Sequence, residues 1–229
     1  MQGTRTPLTF TSLVGVCREL LIEGGPEAIV MREVARRSGV TAPALYKHVD
    51  GRDALLTLLI AACNDEVADA CAAARDSCSA QDYPAQLWRA TVAFREWALD
   101  HPAEFGLIYG TPIAGYEAPE QGPTTQSSER FGAVFAGIYA GLMATGRLRL
   151  VNRQTMSPPL IAALESEPLP GDHHLPAEAA YQFALGWHRL LGMVSVEVAG
   201  HLDWMMSDSS AFVHAQLETL FDEIIIPAN

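Results

Sequence analysis

The chain has 229 residues, 49% of them hydrophobic and 18% charged, with a formal net charge of −12. That composition supports a substantial buried core and argues against global disorder. Its longest apolar candidate span, Phe131 to Gly146 between Arg130 and Arg147, is sixteen residues, short of the roughly 20 a bilayer requires.

The acidic balance argues at first against a nucleic-acid partner, but it is unevenly distributed. Residues 1–57 hold seven Arg or Lys against six Asp or Glu, whereas 58–229 hold eight against twenty-one. Within 28–52 the count is five basic to two acidic. A near-neutral head with a local basic cluster, joined to a strongly acidic body, suits a protein that meets phosphate with one end. The opening Met1-Gln-Gly-Thr-Arg-Thr-Pro7 lacks an apolar signal core, so a cytoplasmic location is expected.

In chain order, a first helix begins near Thr9, with Leu8 and Leu13 placed as a hydrophobic staple. Leu13, Val16, Cys17, Leu20 and Leu21 recur at three-and-four spacing until Gly24-Gly25-Pro26 ends the helix. A second helix is predicted from Met31 to Ser38 and a third from Ala42 to His48. Between them Gly39 can take a positive φ, Thr41 can cap the next helix, and Pro43 fits its first turn. Small Ala35, then Gly39, Val40 and Leu45, describe a helix-turn-helix, the motif that lays its second helix in the DNA major groove. Asp50 caps a fourth helix that runs through Leu55, Leu58 and Leu59 to about Ser77.

Only helical periodicity follows. Helices are predicted over Pro84–Leu99, through Phe105 and Ile108, over Glu129–Thr145, from Pro158 to Leu164, over Pro176–Trp204, and after a Ser207-Asp208-Ser209 cap. Residues 110–128 and 166–175 read as loops, 110–128 as a mobile one. On the 129–145 helix, Gly132, Ala133, Ala136, Gly137, Ala140 and Gly141 form a face that admits either close packing or a ligand. The 176–204 helix is apolar nearly all round and must be buried on several sides. The last two helices are expected to pair with a second copy of the chain. The fold class is therefore all-α, with a head at 1–55 and a helical body at 56–229.

On a projection of Ala42–His48, Leu45 and Val49 face the head's core. Pro43, Ala44 and Lys47 face outward, with Tyr46 and His48 on the flanks. Lys47, His48 and the Tyr46 hydroxyl suit phosphates or base edges, and the methyl groups of Ala42 and Ala44 suit thymine methyls. Arg52 is placed as a phosphate clamp and Arg32 as a backbone or guanine contact.

These residues carry a resemblance. Met31-Arg-Glu-Val-Ala-Arg-Arg-Ser-Gly-Val40, Ala44-Leu-Tyr-Lys-His-Val49 and Arg52-Asp-Ala-Leu-Leu56 make residues 8–60 similar to the N-terminal domain of the TetR family of transcriptional regulators. The stretch from Trp187-His-Arg to Gly200-His-Leu202 resembles a Trp-His-Gly subtype of that family's C-terminal domains. The resemblance implies an all-α homodimer that binds a palindromic operator in double-stranded DNA and is released by a small-molecule effector held in the body. By it, Thr41, Tyr46, Lys47, His48 and Arg52 inherit DNA contacts and Arg32 a base contact. Val49 departs from a common Phe, and Asp50-Gly51 from the usual turn, which puts an anionic group beside Arg52.

Trp88, Phe94, Trp97, Phe105, Tyr109, Tyr139, Met143, Trp187 and His188 are the candidates for an apolar effector pocket, and each also suits core packing. A regulator that answers to no ligand or to a protein, and an all-α enzyme reusing the fold, stand as alternatives. Glu197 and His201, one turn apart, suit an ion pair better than a metal site. His173-His174 is a weak metal hint and the four cysteines lack metal-knuckle spacing, so neither metal nor cofactor is expected. No P-loop, dinucleotide fingerprint or nucleophile elbow occurs.

Overall fold

The computed structural model describes residues 8–227, so the opening stretch read for a signal core lies outside them. Ten α-helices and no strand occur among the described residues. None of these helices is long and apolar enough to cross a membrane.

The chain forms two compact units. The first holds residues up to Asp65 together with Ala103–Ser128; the second holds Glu66–Pro102 and everything from Glu129 onward. In the first, α1 (Phe10–Gly24) opens on a reciprocal cap. Thr9 Oγ1 accepts from the Ser12 N–H at 3.1 Å, and Ser12 Oγ accepts from the Thr9 N–H at 3.0 Å. Its buried stripe is Leu13, Cys17, Leu20 and Leu21. Helices α2 (Met31–Arg37) and α3 (Ala42–Leu45) follow, and their core is Ile29, Val34, Leu45 and Val49. The start of α4 (Gly51–Asp76) adds Leu55, Leu56 and Leu59. This helix is uninterrupted across residues 55 and 56, where the sequence suggests a domain boundary.

Helix α6 (Pro102–Tyr109) and the chain after it are tied to these elements by side chains. Glu104, 2% exposed, pairs with Arg18 of α1 at 3.4 Å. The Thr57 and Tyr116 hydroxyls lie 2.9 Å apart, and Asn64 donates to Ser128 at 3.2 Å. These ties explain why α7 (Pro123–Ala144) starts six residues before the expected Glu129. A Ser/Thr-rich stretch reads as loop, but Pro123 suits a first turn, and Thr124 and Ser127 are buried polar residues, Ser127 donating to the Thr124 carbonyl at 3.0 Å. The loop is 110–122.

In the second unit, α9 (Ala177–Val198) packs against α5 (Tyr83–Asp100), α8 (Pro158–Glu165) and α10 (Ser210–Ile224). It ends six residues before the expected Trp204, with Gly200 in the left-handed region at φ 65°. Burial is concentrated on one face, Ala179, Gln182, Gly186, Leu190 and Val194, rather than on several sides as expected. Ala184, His188, Gly192 and Val196, four residues apart, form an exposed strip.

The small-residue face of α7 is filled by packing. A tight turn closed by reciprocal bonds between Leu169 and His173 (2.9 and 3.1 Å) puts Pro170 against Gly132 and His173 against Gly137. A Cβ at Gly132 would lie 2.7 Å from Pro170 Cγ, and one at Gly141 would overlap the Tyr83 ring. What approaches is a turn and the Tyr83 ring at the start of α5.

Candidate nucleic-acid interface

Local chemistry shapes the helix-turn-helix. Gly39 has φ 66°, and the Val40 N–H reaches back to the Ala35 carbonyl at 3.0 Å, which closes α2. Thr41 Oγ1 accepts from the Ala44 N–H at 3.3 Å and Pro43 sits in the first turn of α3. Regular helix stops at Leu45, short of the predicted His48. Tighter turns continue through Lys47 N–H to Ala44 O (3.3 Å) and His48 N–H to Leu45 O (2.8 Å).

This geometry sorts the side chains as the projection expects. Leu45 and Val49 are buried; Thr41, Pro43, Lys47 and His48 are exposed, and Ala42 and Ala44 are half-buried. Tyr46 is 57% exposed, a large ring left mostly open to solvent. Arg32, near the start of α2, is also exposed.

The basic cluster is smaller than its residue count. Glu33 receives Arg36 (2.5 and 2.8 Å) and Arg37 (3.0 Å), and Arg37 also grips Glu23 at 2.5 and 2.7 Å. The bonds from Arg36 and then Arg37 hold the Glu33 carboxyl down at about 2, and bonding to Glu23 and Glu33 pushes Arg37 further up.

Arg52, expected as a phosphate clamp, has partners within the head itself. It donates to the Ile29 carbonyl (3.1 Å) and the Pro26 carbonyl (3.0 Å) and pairs with Glu27 at 3.3 Å. Its position at the start of α4 faces the turn at 26–29, so it braces the head's own backbone. Of the five cations in 28–52, Arg32 and Lys47 are left without an acidic partner among the described residues. The acidic partners are the residues sequence reading missed. Glu33 was within reach, three and four residues before its arginines on one helix, whereas Glu23 and the carbonyls at 26 and 29 are brought in by tertiary structure.

The effector candidates are dispersed. Phe105 and Tyr109 pack on each other in the first unit. In the second, Phe94 contacts Phe131 (5.6 Å) and Trp187 (5.5 Å), making an aromatic cluster from α5, α7 and α9. Tyr139 is buried with its ring edge against Phe183, and burial pushes its phenol up. Met143 is half-buried, and Trp88 sits between His214 and Phe221 of α10. Trp97 is buried and stacks on His101. His188 is the correction: its register on the exposed strip of α9 turns it outward, so it lines no interior of this chain.

Glu197 does not pair with His201; Arg95 takes it with two bonds of 2.5 and 2.7 Å. Among the described residues no three His, Cys, Asp or Glu side chains group to hold a metal. Burial raises the Cys17 thiol to about 11 and the Cys71 thiol to about 12, which keeps both protonated at neutral pH.

Comparison with known proteins agrees with this geometry. Residues 14–59 match the model of bacterial regulatory proteins of the tetR family, and 87–220 match the tetracyclin repressor-like C-terminal domain. An HTH-type transcriptional regulator of Mycobacterium tuberculosis, Rv1816, is 32% identical over 212 residues, covering 91% of this chain and 88% of its own. The crystal structure of a protein described as a regulatory protein, SCO4313, superposes with a TM-score of 0.74 at 30% identity, covering 92% of this chain and 94% of that one. A TetR variant from Acinetobacter baumannii in complex with minocycline shares the fold at a TM-score of 0.57 and 21% identity, over 94% of this chain and 96% of that one. The chain belongs to the TetR family of DNA-binding transcriptional regulators, a class without enzymatic activity.

Proposed function

We propose that the protein is a homodimeric repressor whose two heads read the halves of a palindromic operator and whose body releases them when it binds a small apolar or aromatic effector. One observation carries the DNA-facing part. The outward side of the helix-turn-helix leaves Tyr46, Lys47 and His48 exposed, with Arg32 and Lys47 free of acidic partners among the described residues. Lys47 and Arg32 meet phosphates, Tyr46 and His48 reach phosphate or base acceptors, and the Ala42, Pro43 and Ala44 surface lies against thymine methyls. Thr41 holds the start of α3 and Arg52 braces the turn behind it.

The dimer reading is supported by the exposed strip of α9, Ala184, His188, Gly192 and Val196, and by Ala211, Ala215 and Thr219 on the exposed side of α10. The small residues among them, Ala184, Gly192, Ala211 and Ala215, let a second helix pair approach closely, as in a four-helix interface. Two heads so joined would sit one DNA turn apart, about 34–36 Å. The minocycline complex of the Acinetobacter protein supports a small-molecule effector, and the effector domain on this reading is the second unit. Effector and operator then weaken each other's binding by one common factor.

The test selects an operator from randomised duplexes with the purified chain and measures binding by fluorescence anisotropy. Tyr46→Phe and Lys47→Ala are each expected to weaken it. Unchanged affinity in both would remove the recognition surface. Sedimentation of Gly192→Glu, expected as a monomer, tests the dimer face separately.

A further inference from the structure

The buried polar groups of the second unit are almost all accounted for. Gln86 donates to the Ser79 carbonyl at 2.8 Å and Gln182 to the Glu223 carbonyl at 3.3 Å. The deep pair Arg95–Glu197 neutralises itself and is further held by Ser210 at 3.1 Å. Trp97 differs. Its side chain is 6% exposed, and its indole Nε1–H is buried with no hydrogen-bond partner. A tryptophan side chain carries one polar atom, a donor only, and burying it unbonded is unfavourable.

The ring is not free to turn and relieve that cost. His101 stacks on it at 5.2 Å with an interplanar angle of 20°, and the His101 backbone N–H bonds the Trp97 carbonyl at 2.9 Å. Trp97 follows Phe94 by three residues on the buried stripe of α5, and Phe94 belongs to the cluster with Phe131 and Trp187. Tyr139, 4% exposed among the described residues, is buried in this unit as well. Among those residues, no charged residue is classed as buried in this unit, and the Arg95–Glu197 pair is self-neutralised. An anionic or cationic ligand would find no counter-charge to offset its desolvation.

We propose that the second unit binds a neutral, largely apolar molecule carrying one acceptor oxygen, a carbonyl or ether, which takes the hydrogen bond donated by Trp97 Nε1. This rests on the reading of that unit as the effector domain and names the chemical class of the effector. The indole donates and the aromatic rings of α5, α7 and α9 supply the apolar contact. Recognition of the oxygen is therefore a matter of one bond, which sets the size of the discrimination.

Benzophenone and diphenylmethane test it, because they differ only in a carbonyl where the other has a methylene. Titrated into the full chain and followed by calorimetry, benzophenone is expected to bind about tenfold more tightly. Trp97→Phe, which keeps a ring to stack on His101, is expected to bring the two within about twofold. Thermal melting checks that the variant folds. In the unaltered chain, labelled with 15N at its indoles, one buried indole N–H resonance is expected to move with benzophenone and not with diphenylmethane. Equal affinity of the pair, a preference that survives Trp97→Phe, or no binding of either probe would each overturn the inference.

Operator affinity is measured in the same samples. Benzophenone bound through Trp97 but leaving operator affinity unchanged would overturn the effector reading and keep this site. Operator release by both probes, indifferent to Trp97, would do the reverse.

Discussion

Replacing Lys47 by Ala tests how the head meets DNA, and its size follows from the pairing of charges. Five basic residues lie in 28–52, but Arg36 and Arg37 are bonded to Glu33 and Glu23, and Arg52 to Glu27 and two carbonyls. Arg32 and Lys47 remain, two per head and four in the proposed dimer. Each phosphate neutralised adds about −0.9 to the slope of log K against log salt, so these residues contribute about −3.6. Between 50 and 200 mM salt that amounts to a loss of affinity of about 150-fold. Lys47→Ala removes one contact per head, making the slope shallower by about 1.8 and reducing the loss from these residues to about 12-fold. The assay is fluorescence anisotropy of a selected operator across that salt range. Arg52→Ala is the internal control, expected to lower the melting temperature and leave the slope where it was. If Lys47→Ala leaves the slope unchanged, or if Arg52→Ala lowers it as much, the assignment of free and committed cations is wrong.

Three further outcomes follow from named contacts. Glu104→Ala strips the carboxylate that Arg18 meets at 3.4 Å and is expected to cost about 2–3 kcal/mol in urea unfolding, below a fully buried pair because Arg18 keeps a quarter of its side chain exposed. Gly186→Ala would drive a methyl group into the hydroxyl of the buried Tyr139 ring and towards Ile224 Cδ1 at 3.3 Å, at a cost of about 1–3 kcal/mol measured the same way. Glu33 has its carboxyl lowered from 4.5 to about 2 by its two arginines, so its contribution to stability is present above the unfolded value and is lost as pH falls towards 2. Melting curves from pH 5 to 2.5 are expected to decline less steeply for Glu33→Gln than for the native chain; parallel curves would contradict the pairing.

The parts of this molecule legible in sequence are those governed by local rules. Thr9, Gly39, Thr41 and Pro43 act on neighbours within four residues, and each does in the structure what its chemistry predicts. The inward placement of Leu45 and Val49 follows from helical periodicity alone. Reading stopped where distant chain decides. Residues 123–128 look like loop because their polar side chains are taken as solvated, yet Thr124 and Ser127 are buried and Ser128 is bonded to Asn64, 64 residues away. The glycines of α7 announced a close approach without saying what approaches, since Pro170, His173 and Tyr83 arrive from elsewhere in the chain. The bonds of Arg52 were illegible for the same reason: its partners lie 23 to 26 residues before it.

This pairing of charges has a functional consequence. A chain of net charge −12 that binds DNA would ordinarily need a strong local excess of cations to do so, and the raw count in the head suggests one. The carboxylates of Glu23, Glu27 and Glu33 take up three of the five arginines and lysines in 28–52 and turn them into braces for α2 and the turn before it. Attraction to phosphate backbone of any sequence is correspondingly weak, because the same few contacts supply it everywhere on DNA. On the proposed recognition surface, affinity for the operator then comes from what differs between sequences: the fit of Tyr46, His48 and the Ala42–Ala44 surface to base edges, and the cost of shaping the duplex to receive them. A head built this way would spend little time on unrelated DNA. In the proposed dimer, a small loss of fit between two such heads would then be enough to release it, since little non-specific attraction remains to hold the protein in place.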